Sequence, residues 1–504
     1  MNRPTQAEDD GLRTVFRGAG VSYVAQLFGT VVNFAHTVAL ARFYGRDGLG
    51  LYSTGFPLAR YLTLLGVLGL DSGLVRFLPI HRRREEPGKI AGLLGWSLRA
   101  VALMSGLLAV LLWLGADVVG SGVFGEPGLA PLLRVFAFVV PVWALVMVLA
   151  AAAQSFDRQD YRAIPQTVVQ PALQLALVLL FGWMGYVVTS AVAARGWAML
   201  AGLAVAVVLQ RRLGPLGLRS WPPAHERREL LRFAFPTAAA GLVMSLCSSL
   251  ALLMTTALAG RAETGLYAAA FRVTFIGILM LRSFTWSFDP FISRLLEAGE
   301  TAQLRRLLQA VTKALLAVNL PLAALFILLA DPVASLFGPE FLPAARCMRI
   351  LALDSVVVSL AYLADHLVLF SGRPRLVLAN GLGLLAVMFG SDLLLIPSMG
   401  AEGAAWASLA AHSALLIAVS IEVALLLRLT FFGPAQANIF LAAGVATAAS
   451  FAIRHFFLAS LLGPGASLVT VAVYAAVYLP LLLLSLTPED RATLRRALDR
   501  ARGH

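Results

Sequence analysis

Apolar stretches of about twenty residues recur along this 504-residue chain from one end to the other. Twenty helical residues are what it takes to cross about 30 Å of hydrocarbon. Inside lipid no water is at hand for backbone amides, so a crossing segment must satisfy them within its own helix. Charged residues make up only 13% of the chain, against roughly a quarter in a soluble domain. The sequence therefore reads as an all-α polytopic membrane protein. Fourteen spans are expected, at approximately 18–41, 49–75, 90–119, 131–153, 163–184, 187–209, 233–258, 265–290, 311–330, 345–370, 376–396, 404–427, 438–457 and 466–486. The opening "MNRPTQAEDDGLRTVFRGAG" is polar and mixed in charge, with no A-x-A-type cleavage site closing the run behind it, so the first helix is expected to stay. Cys247 and Cys347 fall in apolar or flanking sequence and read as small buried hydrophobes.

A formal charge of +13 could suggest nucleic acid, but its placement does not. One set of alternate loops, with the two tails, carries most of the Lys and Arg. The opposite set carries Arg42, Arg46, Arg261, Arg346, Arg349 and Arg454. Positive-inside bias then puts both termini in the cytoplasm, with "HRRREEPGK" beside anionic headgroups. Membrane lipid, and not nucleic acid, is the expected partner of these charges.

The stretch "GRDGLGLYSTGF" at Gly45–Phe56 returns as "GRAETGLYAAAF" at Gly260–Phe271, an offset of 215 residues. The same offset brings Arg134–Ala137 onto Arg349–Ala352, Arg158 onto Arg373, and Met184-Gly185 onto Met399-Gly400. These places are equivalent in two halves of six spans each. An even number of spans makes the repeats parallel, related by an axis along the membrane normal, with a cavity between two lobes. The expected division is 1–215, 216–430 and a 431–504 appendix of two further spans and a tail.

Polar residues inside the spans point to that cavity. Ser22, Gln26, Thr30, Asn33 and Thr37 lie within about 40° of one direction on a helix. Their equivalents on span seven are Thr237, Gly241, Ser245, Ser248 and Leu252. In span two Arg60 lies about 15 Å down, near the midplane, where a charge costs about 2.5–3.5 kcal/mol. Ser53 and Asp71 share its direction, and Pro57 is expected to kink the helix. Span eight, its partner in the repeat, carries Arg272, while Arg282 and Asp289 read as interfacial. Arg99 and Arg195 are also deep in their spans. Guanidinium groups in a hydrated cleft suit phosphate oxygens, which the fork binds in pairs. Gln26, Asn33, Ser53, Asp71, Arg60, Arg99, Arg195 and Arg272 are thus the expected cavity-lining residues. Asp354, Asp365, Asp392 and Glu422 could bind a coupling cation or proton, and pairing with a neighbouring Arg is the favoured reading. His36, His366 and His412 form no cluster in the sequence.

No H-E-x-x-H, G-x-S-x-G or P-loop motif occurs, and the loops are short. The chain reads as a non-enzyme without a cofactor. At "GLGLYSTGFPLARYLTLLGVLGLDSGLVRFLP" (Gly48–Pro79) and "SGRPRLVLANGLGLLAVMFGSDLLLIPSMGAEGAAWASLAA" (Ser371–Ala411) it resembles the polysaccharide-biosynthesis flippases, of O-antigen-translocase type, of the multidrug/oligosaccharidyl-lipid/polysaccharide exporter superfamily. The resemblance implies two six-helix lobes. Its implied activity is translocation of an oligosaccharide on a polyprenyl diphosphate, from the cytoplasmic to the outer leaflet of a bacterial inner membrane, by alternating access. It also implies that spans one, two, seven and eight line the cavity, with Arg60 and Arg272 as diphosphate or sugar contacts, and that spans thirteen and fourteen form a groove for the lipid tail. Relatives often carry several Asn on span eleven; here Asn380 remains and Asp392 stands near the other end. Sodium and protons are both candidate coupling ions. Two alternatives stand: a cation-coupled drug exporter of the same superfamily, disfavoured by several deep arginines, and a membrane enzyme of glycan assembly.

Overall fold

The computed structural model describes residues 6–156, 158–218, 220–298, 300–430, 434–456 and 464–485. Among them twelve helical stretches are long and apolar enough to cross a membrane. Two of these, Phe28–Arg83 and Ala224–Thr274, run to 56 and 51 residues, enough for two crossings each. The total is therefore roughly fourteen.

In chain order the helices are α1 (Gln6–Val67), α2 (Leu70–Arg83), α3 (Pro87–Asp117), α4 (Leu129–Ser155), α5 (Gln159–Ala163), α6 (Gln170–Trp183), α7 (Thr189–Leu213), α8 (Ala224–Glu297), α9 (Thr301–Leu328), α10 (Ala330–Phe337), α11 (Ala344–Phe370), α12 (Pro374–Met399), α13 (Ala401–Leu427), α14 (Pro434–Phe456) and α15 (Pro464–Ser485). Pro opens α3 and α12, where its missing N–H costs nothing. A π-helical turn, Ile164–Val169, joins α5 to α6. The chain divides into two compact units, Met1–Ala268 and Ala269–His504.

Within the first unit, Leu70, Leu74 and Leu78 repeat at four-residue spacing on α2 and pack against Leu94 and Leu98 of α3 and Ala152 of α4. Lipid offers no hydrophobic drive between helices, so close fit does the holding. Ala150–Ala153 are all buried and let α4 sit tightly among its neighbours. In the second unit α14 and α15 pack on α9 through Ala324, Leu328, Ala446 and Tyr474. The Tyr478 hydroxyl donates to the Ala317 carbonyl at 2.8 Å.

Matching corners recur at the 215-residue offset. α1 bends at Gly45 (φ 69°, ψ −177°) and α8 bends at Gly260 (φ 84°, ψ 176°). Both conformations suit glycine and burden any residue with a Cβ. The two corners meet inside the first unit. A Cβ on Gly50 would lie 1.8 Å from the Arg261 carbonyl oxygen, and one on Gly265 would lie 2.0 Å from the Arg46 oxygen. Each corner thus rests a backbone carbonyl on the other's glycine. Arg261 adds charge to this contact: Nε donates to Asp47 at 3.1 Å and the backbone N–H donates to Glu126 at 2.9 Å. Below it, Thr54, Thr256 and Thr264 form a buried hydroxyl chain at 2.7 and 3.0 Å. An ion pair also recurs: Arg134 with Asp117 at 2.5 Å, and Arg349 with Asp331 at 2.6 Å.

One local expectation is corrected. Pro57 lies inside α1, whose non-helical φ/ψ falls at Gly45, and the helix ends at Leu68 and Gly69, where φ is 55° and 71°. Asp71 therefore stands on α2 and not on the helix that carries Arg60 and Ser53. A Cβ at Gly69 would lie 2.2 Å from the Ala234 carbonyl oxygen, so close approach of α8 adds to the demand for glycine there.

Gly50→Ala and Gly265→Ala are each expected to destabilise by about 1–3 kcal/mol, read as a lower thermal midpoint of the purified protein. Gly106→Ala, with nothing within 4 Å of the added atom, should leave the midpoint level or higher, since Ala is the better helix former. Equal midpoints for all three would remove the weight placed on the paired corners.

Candidate functional site

The first unit holds an open cavity of about 570 Å³. Arg60 of α1, Asp71 of α2, Trp143 of α4, Arg162 of α5, Gln170 of α6 and Arg195 of α7 all reach it. Three guanidinium groups thus face one carboxylate across a space of the size that takes a small ligand. Gln166 joins them from the π-helical turn. An extra residue per turn re-aims the side chains on either side of it, and such turns often mark functional places.

Arg195 is held in place from several directions. Its Nη1 donates to Gln174 Oε1 at 3.2 Å. The guanidinium carbon lies 4.4 Å from the centre of the Phe56 ring and 5.0 Å from that of Trp143. Those two rings stack on each other at 5.4 Å. An aromatic face attracts a cation through its quadrupole, more so when water is excluded. Gln174 in turn meets the Tyr52 hydroxyl at 2.8 Å and His36 Nε2 at 2.9 Å. Arg195 Nε and Gln170 Nε2 are buried, and neither has a hydrogen-bond partner among the described residues. A buried donor left unmade costs about 1–3 kcal/mol.

Of the eight residues expected to line one cavity, the structure brings Arg60, Asp71 and Arg195 together. Asn33 turns back on its own helix and donates to the Gly29 carbonyl at 2.7 Å, and Ser53 is half-buried outside the cavity lining. Arg99 is placed elsewhere: it donates to Gly95 and, at 2.5 Å, to Ser220, and lies 4.4 Å from the Trp221 ring. It fastens the segment after α7 to α3. Arg272 is exposed on the second unit. The side chains of Ser22, Gln26, Arg282 and Asp289 lie outside the described residues.

The acids of the second unit find partners other than arginine. Ser408 donates to Asp354 at 2.7 Å, and His412 Nδ1 lies 2.9 Å from the same carboxyl. Asn380 donates to both Asp365 and Glu422 at 3.0 Å. Asp392 is fully buried, with no hydrogen-bond partner for either oxygen among the described residues. Arg pairing fails because the helices facing these acids present amides, hydroxyls and imidazole instead. The histidines, dispersed in sequence, are gathered by the fold: His412 onto Asp354 and His36 onto Gln174. Among the described residues no group of three or more His, Cys, Asp or Glu is placed to hold a metal ion.

Sequence reasoning missed Gln166, Gln170, Gln174, Arg162 and Trp143. The three glutamines recur at four-residue spacing on one face. That is the same kind of signal as the stripe on the first span, in a stretch where it went unread.

The chain matches the sequence model for "Polysaccharide biosynthesis protein" over residues 15–296, more than half its length, and that for "MatE" over residues 236–382. Stage V sporulation protein B of Bacillus subtilis is 26% identical over 167 residues, which cover 33% of this chain and 32% of that protein. The match thus spans about a third of that relative's length. Among solved structures, the lipid II flippase MurJ in its inward closed conformation superposes with a TM-score of 0.70 at 13% identity, over 92% of this chain and 97% of its own. An inward-facing multidrug resistance MATE family transporter of the MOP superfamily gives 0.68 at 15% identity, over 79% and 94%. At such identities the likeness is one of fold. The sequence match goes further: the chain belongs to the polysaccharide biosynthesis protein family, built on the fold of the MOP superfamily.

Proposed function

We propose that this protein is a flippase that moves a polyprenyl-diphosphate-linked oligosaccharide from the cytoplasmic to the outer leaflet of a bacterial inner membrane, both termini lying in the cytoplasm. The observation that carries the reading is the cavity of the first unit, which Arg60, Arg162 and Arg195 all line. A diphosphate supplies oxygens for these groups, and forked guanidinium contacts hold phosphate in pairs. In this reading Arg60 and Arg195 bind the diphosphate and Gln170 helps to orient it. The reciprocal contact of the Gly50 and Gly265 corners supports duplicated lobes at 1–215 and 216–430, and alternating access asks those corners to part. α14 and α15, packed on α9, are assigned to the lipid tail. MatE similarity and the MATE-like fold favour a drug exporter as second reading. Three guanidinium groups in the cavity oppose a cationic drug.

Deleting the gene should build up a diphosphate-linked oligosaccharide reachable only from the cytoplasmic side, as measured by mass spectrometry of polyprenyl-linked lipids. The wild-type gene should clear it, and Arg60→Ala or Arg195→Ala should not. An unchanged lipid pool would move drug export ahead, and an intermediate already on the outer face would reopen the enzyme of glycan assembly.

Arg195→Ala should weaken inorganic pyrophosphate binding by roughly 10- to 100-fold, the worth of a charge-assisted hydrogen bond of about 1.5–3 kcal/mol. Arg99→Ala should instead lower the thermal midpoint and leave that affinity unchanged. Titration calorimetry and thermal melts on the two variants separate these outcomes. Comparable losses of affinity would contradict the distinct places given to the two arginines.

A further inference from the structure

Hydrogen-bond direction fixes the state of a buried histidine next to this cavity. His36 is 6% exposed, and its Nε2 lies 2.9 Å from Nε2 of Gln174. Two nitrogens share a hydrogen only if one donates and the other accepts. Arg195 can only donate, so the oxygen of the Gln174 amide is the atom that faces it. The amide nitrogen is thereby turned toward Tyr52 and His36 and gives each a hydrogen. An amide nitrogen accepts nothing. His36 Nε2 is therefore the bare, accepting nitrogen, and the imidazole is neutral with its hydrogen on Nδ1.

A proton added at His36 Nε2 would set donor against donor. Rotating the Gln174 amide turns its oxygen to the imidazolium, but then sets the amide hydrogens against the Arg195 guanidinium. Tyr52 can follow either arrangement, because a hydroxyl both donates and accepts. The network thus accommodates a neutral His36 with Arg195 bound by Gln174, or a charged His36 with Arg195 released, and not both together. Once released, Arg195 stays beside the Phe56 and Trp143 rings with Nη1 free to meet a ligand.

We infer that His36 is a proton-binding site tied, through Gln174, to anion binding at Arg195. This rests on the reading of Arg195 as an anion contact. Coupling between two sites is reciprocal: an anion that draws Arg195 away from Gln174 favours proton uptake at His36, and the proton tightens the anion by the same factor. Among the described residues Tyr52 is a titratable group that faces His36, its ring centre 5.7 Å away, and Arg195 is reached through Gln174. Other charged groups on the helices packed against α1 are engaged elsewhere. Arg134 pairs with Asp117, Arg158 with Asp160, and Lys89 with Glu86 and Glu226. Arg99 holds Gly95 and Ser220, and Arg162 holds Gln154. Arg60 lies across the cavity lining, and Arg211 and Arg212 stand in the last turn of α7.

The test is calorimetric titration of the full-length protein in lipid nanodiscs with inorganic pyrophosphate, at about pH 6 and about pH 8, on either side of an ordinary imidazole. Wild type, His36→Gln and Gln174→Leu are compared. Titration of pyrophosphate itself is common to all three and cancels between them. His36→Gln keeps an acceptor for the Gln174 amide and should bind like wild type at the higher pH, which also reports its folding. The gain in affinity on acidification should be larger in wild type than in either variant by roughly fivefold or more, the usual lower bound of site-to-site coupling. The same pH ratio in all three proteins overturns the proton link and leaves the cavity reading standing. Failure of wild type to bind pyrophosphate at either pH overturns the cavity reading, and the proton link with it.

Discussion

A guanidinium group inside an apolar bundle persists only if the bundle supplies what water would have supplied, and Arg195 shows how this chain does so. Burial of a charge costs several kcal/mol before compensation. Phe56 and Trp143 offer their ring faces, and Gln174 offers an amide oxygen. Carboxylate compensation would neutralise the site, whereas aromatic faces and an amide leave its positive charge available. The neighbouring Arg60 and Arg162 reach the same cavity with Asp71 as the acid among them. Under the proposed function, that charge meets an anion that arrives and leaves.

Positioning this site depends on close backbone approach. α8 crosses the first six spans at glycines, at Gly50 and Gly265 near one end and at Gly69 further along. Each places a carbonyl where a Cβ would stand. Such contacts need no hydrophobic drive, which the lipid would not provide. Their energy comes from fit, supported by Arg261 on Asp47 and Glu126 and by the hydroxyl chain through Thr54 and Thr256. Contacts made of small surfaces and hydroxyls can part without exposing large apolar faces, a property suited to a structure that alternates between arrangements.

Helical class, roughly fourteen crossings and the paired Gly-Arg corners were legible in the sequence because each rests on local pattern: length of apolar run, spacing and offset. Arg60, Asp71 and Arg195 could be picked out because charge within a span is rare. What escaped was partnership. Arg99 looks like Arg195 in sequence, yet Ser220 and Trp221, more than a hundred residues on, claim it. Asp71 was read on the helix of Arg60, but Leu68 and Gly69 end that helix first. The acids of α11, α12 and α13 are expected from sequence to meet arginines and instead meet Ser408, His412 and Asn380, or, for Asp392, no hydrogen-bond partner among the described residues. Pairing across helices is set by rotation and depth of each helix, which periodicity alone does not specify. Gln166, Gln170 and Gln174 were within reach, being a stripe at helical spacing.

The measurement closest to the central claim is a cryo-electron microscopy map of the protein in nanodiscs with a short-chain polyprenyl diphosphate sugar. The account predicts diphosphate density in the first unit's cavity, within hydrogen-bond distance of the Arg195 guanidinium, with the guanidinium of Arg60 turned toward it. A bound diphosphate seated elsewhere would contradict it.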